Sequence, residues 1–350
     1  MSTSSPLRIG FIGAGGIARQ RHLPGLKEVP NVELVAVANR SRASAERVAS
    51  EWGFLPNAVC DDWQQVIERT DVDALFICAP PYLHCEATLA ALDAGKHVFC
   101  QARLARDYGE ARRMYERSRA TDRVTMVCPP PHAMPGDYLV KELLRDGYLG
   151  DVYHVSVAGL QAAYVDPRAP LHWRQDTYIS GYNTLILGML IEVLHRWVGY
   201  FESITADIAY LIPRRPKAGS VQEVDVRAPD SLGIVGRLKS GGLAVFSMSG
   251  VARAGETRIE LYGSNGTLHY LIDANRLLGA TGGETSLQPI EIPADKVRHW
   301  TAEADFVRAI RDGTPVSPDF EEGLRYMEVT EAVYRSARSH QTVTLPLAYT

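Results

Sequence analysis

A glycine-rich bend, Gly13-Ala14-Gly15-Gly16-Ile17-Ala18, joins an apolar run, LRIGFIG, to a helical stretch from about Gly16 to Val29. It opens a regular alternation. VELVAVAN, DALFICAP, HVFCQ and VTMVC are further apolar runs of strand length, separated by the amphipathic stretches RASAERVASEWG, DDWQQVIER, HCEATLAALDAG and YGEARRMYERSRAT. Continuous apolar strands alternating with helices require a parallel sheet covered on both faces. The alternation ends at about Cys128. The chain has 350 residues, too many for one ordinary core, so a second domain is expected over 129–350.

The second half has a different pattern. After Pro129-Pro130-Pro131, PGDYLVKELLRDGYLG reads as a helix with a glycine stop, and DVYHVSVAGL alternates as a half-exposed strand. A long helix is expected from about Gly181 to Trp197. Hairpins turn at Ser240-Gly241-Gly242 and at Asn265-Gly266. Two late helices, near 302–311 and 321–340, precede a last strand, TVTLPL, and the second of them can pack back on the first domain. The stretch RRPKAGSVQEVDVRAPD reads as an exposed loop. The whole is an α/β domain with a parallel sheet, followed by an α+β domain with a mostly antiparallel open sheet.

The bend itself fits G-x-G-x-x-A. Gly13 permits the tight turn, Gly15 lets backbone approach a pyrophosphate, and Ala18 lets the helix press on the sheet; Gly16 and Ile17 complete the helix start, whose free N–H groups favour phosphate. A bare glycine motif is weak, but one between a first strand and a first helix of a repeating β/α pattern points to a dinucleotide. The second strand ends in Asn39-Arg40-Ser41, with no acid to hold a ribose 2′-hydroxyl. An amide, a guanidinium and a hydroxyl suit a 2′-phosphate, so NADP is expected ahead of NAD. Arginine also stacks on adenine, which leaves either cofactor open.

Composition removes other classes. A formal charge of -4 offers no basic surface for a nucleic acid. No apolar run approaches a membrane span, and the start, MSTSSPLRIG, has no charged segment followed by an apolar one; a cytoplasmic protein is expected. Five cysteines, Cys60, Cys78, Cys85, Cys100 and Cys128, include no C-x-x-C pair, so buried thiols are expected and no metal site. Neither H-E-x-x-H nor G-x-S-x-G nor a P-loop motif occurs.

GFIGAGGIA, VAVANRS, FICAPPYLH and GKHVFC, in this order and spacing, resemble the landmarks of the glucose–fructose oxidoreductase / inositol dehydrogenase / MocA (Gfo/Idh/MocA) family. KELLRDGYLGDV and RWVG resemble the entry to its second domain and the end of its active-site helix, so the resemblance covers nearly the whole chain. It implies hydride transfer between a nicotinamide and a hydroxyl or carbonyl carbon of a sugar, cyclitol or related small molecule. It also implies a homo-oligomer, dimer or tetramer, formed through the open sheet. By the same resemblance Ala79, Pro80 and His84 lie beside the cofactor, and Gln101 can contact the nicotinamide ribose. For His84 a second reading is a helix-start residue bonded to backbone.

The departures concern proton transfer. The family's Glu-Lys-Pro corresponds here to Gln101-Ala102-Arg103, and its helical aspartate and histidine correspond to Ile186 and Leu190. None of Ala102, Ile186 and Leu190 can move a proton, yet hydride transfer to or from an alcohol carbon requires one to move. Candidates for the role are His132 in the proline-rich segment, Tyr182, and Asn183, which can bond a substrate oxygen. Trp173 and Arg174 resemble a substrate-loop pair, with Tyr164 in the same loop. Glu192 and His195 read as salt-bridge or subunit-contact residues. Two further functions stay open: a lyase, hydrolase or isomerase that uses transient oxidation, and a nucleotide-binding sensor without turnover.

Overall fold

The computed structural model describes residues 5–128, 134–182 and 185–348. The chain divides into two compact units, 1–129 with 301–324 and 130–300 with 325–350. The first unit thus includes a segment near the end of the chain. That segment is 301–324, so the division falls inside the helix expected at 321–340, whose first residues belong to the first unit.

In the first unit β1 (Leu7–Ile12), β2 (Val32–Ala38), β3 (Ala74–Ile77), β4 (His97–Cys100) and β5 (Thr125–Val127) form a parallel sheet of order β2-β1-β3-β4-β5. A widened π turn, Ala18–His22, runs into α1 (Leu23–Lys27); α2 (Arg42–Trp52), α3 (Trp63–Glu68), α4 (His84–Asp93) and α5 (Tyr108–Arg119) follow. Phe11, Phe76 and Phe99 stand in register on neighbouring strands, with ring centroids 5.1 and 4.5 Å apart. Each stacked pair adds about 1 kcal/mol beyond area burial.

The second unit begins with α6 (Asp137–Arg145) and β6 (Val152–Leu160). A single-turn α7 (Thr177–Ser180) precedes α8 (Leu187–Val198). Then come β7 (Phe201–Ala209), the short hairpin β8 (Arg214–Pro216) and β9 (Glu223–Asp225), β10 (Ser231–Leu238), β11 (Leu243–Ser249), β12 (Thr257–Gly263), β13 (Gly266–Leu271), β14 (Arg276–Thr281) and β15 (Gln288–Ile290). α9 (Ala302–Asp312) belongs to the first unit; α10 (Phe320–Ser339) and β16 (Val343–Thr344) end the chain. The nine-stranded sheet has the order β15-β14-β13-β12-β6-β11-β10-β7-β16, antiparallel except where β11 pairs with β6.

The described long helix starts at Leu187, six residues later than its pattern suggests. Gly181, at φ 70°, ends α7 first. On β10, Leu232, Ile234 and Leu238 are buried while Val235 and Arg237 on the opposite face stay exposed. This alternation leaves one face of the sheet open in the single chain.

Asp137 and Glu192 are buried and share Arg196; Asp137 also accepts from Trp197 Nε1 (2.8 Å) and Arg298 (2.7 Å). Burial would push the Asp137 carboxyl up, but Arg196 and Arg298 overcome this and hold it below its usual range. Glu192 is therefore a structural salt-bridge residue. All five cysteines are buried, and no helix among the described residues is long and apolar enough to cross a membrane.

Candidate active site

In a sheet of order 2-1-3-4-5 the chain reverses direction between β1 and β3, and ligands bind there beyond the carboxyl ends of the strands. The glycine bend lies at that point. Gly13 has φ +85°, and a Cβ on it would sit 2.5 Å from Ala79 N, so no side chain fits. Gly15 and Gly16 are exposed, and a Cβ on either would meet open space or only one carbonyl at 4.0 Å. Ala18 is fully buried under the helix start and Ile17 is half-buried. The backbone beside Gly15 and Gly16 is thus open to approach, while Gly13 is pressed on Ala79.

At the end of β2, Asn39 Nδ2 donates to Ser44 Oγ (3.1 Å) and Ser41 caps α2 in extended backbone. Arg40 is exposed and has no ion-pair partner among the described residues. Its neighbour Arg42 is already paired with Glu46 and Asp61.

His84 is buried with Nδ1 2.9 Å from Arg103 O and Nε2 2.6 Å from Ala79 O. Burial lowers its pKa. Both nitrogens face backbone, as the second of its two readings has it, and the ring pins the turn after β3 to the turn after β4.

Gln101, at the exit of β4, also points inward. Its Oε1 lies 2.8 Å from His22 Nε2, and His22 Nδ1 lies 2.6 Å from Glu303 Oε1. His22 and Glu303 are 0% and 1% exposed. The sequence reading missed both. The available signal was position: His22 follows Ala18 by four residues and precedes Leu26 by four, on the core-facing stripe of its helix.

In the second unit, Tyr164, His172, Trp173 and Arg174 form one surface. The His172 ring lies 6.2 Å from that of Tyr164 and 5.7 Å from that of Trp173. The Arg174 guanidinium sits 4.2 Å from the Trp173 ring centre, a cation–π geometry. His172 was not among the expected residues. Its Nδ1 accepts from Arg174 N (3.2 Å), which leaves the proton of the neutral ring on Nε2. Burial, and then Arg174, lower its pKa. Arg174 itself is exposed at the surface.

This loop is held from beneath by Arg215, 1% exposed, which donates to the carbonyls of Tyr164, Asp166 (2.6 Å) and Ala169 (3.3 Å). Leu171 N bonds to Pro216 O (2.8 Å). The stretch expected to be an exposed loop is thus the β8–β9 hairpin with a buried clamp.

Of the proton-transfer candidates, His132 and Asn183 lie outside the described residues. Tyr182 is stacked on Tyr334 (4.7 Å), accepts at its carbonyl from the Tyr334 hydroxyl, and has Arg338 over its ring at 4.8 Å. Ile186 packs toward Gly159 beside Met248, and Leu190 is buried. Leu185, just before α8, has φ 56°, a conformation costly for a leucine and found most often at functional turns. His195 Nε2 is buried with no hydrogen-bond partner among the described residues, and burial lowers its pKa to about 3.

Residues 7–128 match a family model described as an oxidoreductase family, NAD-binding Rossmann fold (GFO_IDH_MocA), and residues 141–345 match the C-terminal alpha/beta domain of the same family. The chain is 26% identical to levoglucosan dehydrogenase of Pseudarthrobacter phenanthrenivorans, over 97% of this chain and 98% of that protein. It is 27% identical to D-glucoside 3-dehydrogenase of Escherichia coli, over 98% of this chain and 99% of that protein. The fold matches levoglucosan dehydrogenase solved in complex with NADH and levoglucosan, with TM-score 0.89 at 24% identity over 98% of this chain and 100% of that one.

Proposed function

Because the chain belongs to the Gfo/Idh/MocA oxidoreductase family, we propose that it transfers a hydride between NAD(P) and a hydroxyl or carbonyl carbon of a small sugar or polyol, with a proton relay that does not use the family's lysine, aspartate and histidine. The observation that carries the cofactor half is the bend at the strand reversal, where Gly13 is pressed on Ala79 and Gly15 and Gly16 stand open. When bound, the cofactor supplies the hydride acceptor or donor at its nicotinamide. The protein's part is to hold the diphosphate at Gly13–Ala18 and the adenosine end near Asn39, Arg40 and Ser41. An exposed, unengaged Arg40 with no acid beside it supports a preference for NADP(H).

The substrate half rests on the Tyr164–Arg174 surface. Aromatic faces suit the C–H faces of a sugar ring, and Arg174 can donate to its oxygens. Relatives named for levoglucosan, D-glucosides and inositol support this class. His132 and Asn183 remain proposed contributors, and His172 Nε2–H joins them as a donor to a substrate oxygen. Tyr182 is the weakest of the set because its ring is already stacked. A second copy packing on the open face of the nine-stranded sheet is also proposed, since Val235 on that face is 43% exposed; light scattering on the purified protein reads this directly.

The test is turnover on a panel of anhydrosugars, glucosides, inositols and their keto forms with NAD and NADP. Change in nicotinamide absorbance together with a matching oxidised or reduced product is expected. Product without net absorbance change would instead identify a transient-oxidation lyase, hydrolase or isomerase. Binding without any product would identify a sensor.

A further inference from the structure

The hydride transfer proposed above does not by itself call for a buried histidine–carboxylate contact, yet the first unit contains one at the exit of β4. His22 ends the π turn of the same helical run that starts at the glycine bend. Glu303 stands in the first turn of α9 and meets Nδ1 of the ring; Gln101 meets Nε2. Helix α1 is cut away to admit the carboxylate, since a Cβ on Gly25 would fall 2.4 Å from Glu303 Oε2. The ring is wedged edge-on against Phe99 at 5.1 Å and lies 5.5 Å from Phe76, so it has no room to swing. Gln101 is tied down once more, by its N–H to Ile77 O (2.9 Å).

Both ring nitrogens are engaged, one by the Glu303 carboxylate and the other by the Gln101 amide. These contacts join three elements: the phosphate-binding helical run, the β4 exit, and the returning helix α9.

We propose that His22 is a positioning residue for the nicotinamide end of the site: held by Glu303, it fixes Gln101 and so sets the β4 exit relative to the diphosphate-binding bend. The proposal rests on the dinucleotide reading above. It assigns no proton transfer to the group.

The test uses isosteric changes, Gln101→Glu, Glu303→Gln and both together, in the full chain. The readouts are calorimetric affinities for whichever of NADH and NADPH binds wild type more tightly, and for the matching ADP-ribose fragment, which lacks nicotinamide. Gln101→Glu adds a second buried carboxylate, and Glu303→Gln leaves the ring without one. Each single change should weaken the coenzyme about tenfold and the fragment less than about threefold, and the double change should return coenzyme affinity to within about threefold of wild type. Unchanged coenzyme affinity in the singles, equal weakening of coenzyme and fragment, or a double variant no better than the singles would each overturn the proposal. Wild type that binds neither ligand sinks the dinucleotide reading instead. Should the single variants not fold, nitrogen-15 NMR of the wild-type His22 ring decides: signals that move on adding the coenzyme and stay in place on adding the fragment are expected, and signals that respond equally to both, or to neither, overturn the proposal.

Discussion

The carboxyl edge of the five-stranded sheet and the start of α8 are both places where the family resemblance locates function, and they are built differently. The first is made of backbone: Gly13 against Ala79, open Gly15 and Gly16, and His84 spent wholly on carbonyls. The second depends on side chains, and here those side chains are Ile186 and buried Leu190. A backbone site tolerates any sequence that keeps its turns, whereas a proton-transfer site is lost when one side chain changes. With Ile186 and Leu190 at the positions the resemblance assigns to acid–base groups, the difference would let a chain keep its dinucleotide turns while those side chains change.

The largest effect should come from breaking the backbone site. Gly13→Val places branched carbons where a single Cβ already falls 2.5 Å from Ala79 N, and it does so at φ +85°. Strain and overlap should together cost roughly 3 kcal/mol or more, and coenzyme binding should vanish by calorimetry. A Gly13→Val variant with wild-type stability and affinity would contradict the account of the bend.

On the other side of the comparison, Arg215→Met removes the cation that three loop carbonyls share. The loss should be about 3 kcal/mol in denaturant unfolding. Coenzyme affinity should hold while substrate KM rises, because the Tyr164–Arg174 loop loses its support. Equal damage to coenzyme binding would mean that the clamp serves the fold in general.

His195 gives a smaller effect, with a sign fixed by its depressed pKa of about 3. Above about pH 6.5 the ring is neutral in both folded and unfolded chains. As pH falls below that, only the unfolded chain takes up the proton, so stability is lost toward acid. Between pH 7 and pH 5 this residue should withdraw about 2 kcal/mol. His195→Leu should therefore gain on wild type by about that amount at pH 5 relative to pH 7. A difference that does not change with pH would show that the ring is not held neutral.

The mildest change is at Arg40, exposed and unpaired among the described residues. Arg40→Ala should leave unfolding unchanged and lower the NADPH-to-NADH affinity ratio about tenfold, or ~1.4 kcal/mol. An unaltered ratio would leave Arg40 as an adenine-stacking or solvent-facing residue.

Much of the architecture was legible because it follows from local pattern. The apolar runs gave the parallel sheet, and the glycine spacing gave the bend, since only residues without side chains meet both demands of tight turn and open approach. The half-exposed alternation of β10 gave the second sheet. Long-range pairing was not legible. His22 and Glu303 are 281 residues apart and each sits on an apolar helical stripe, where a polar residue looks misplaced until its partner is known. Arg215 lies in a three-residue strand within a stretch rich in charge, glycine and proline, which reads as solvent-exposed until its three carbonyl acceptors are seen. Segment 301–324 carries no local signal that it returns to the first unit. The contact of the Gln101 amide with His22 was hidden for a similar reason, since its partner lies 79 residues away in the chain.

Isothermal titration of the wild-type chain with each oxidised and reduced pyridine coenzyme addresses the central claim. Saturable heat with one site per chain, absent in Gly13→Val, is the predicted result; a folded wild-type sample that gives no heat with any of them would contradict it.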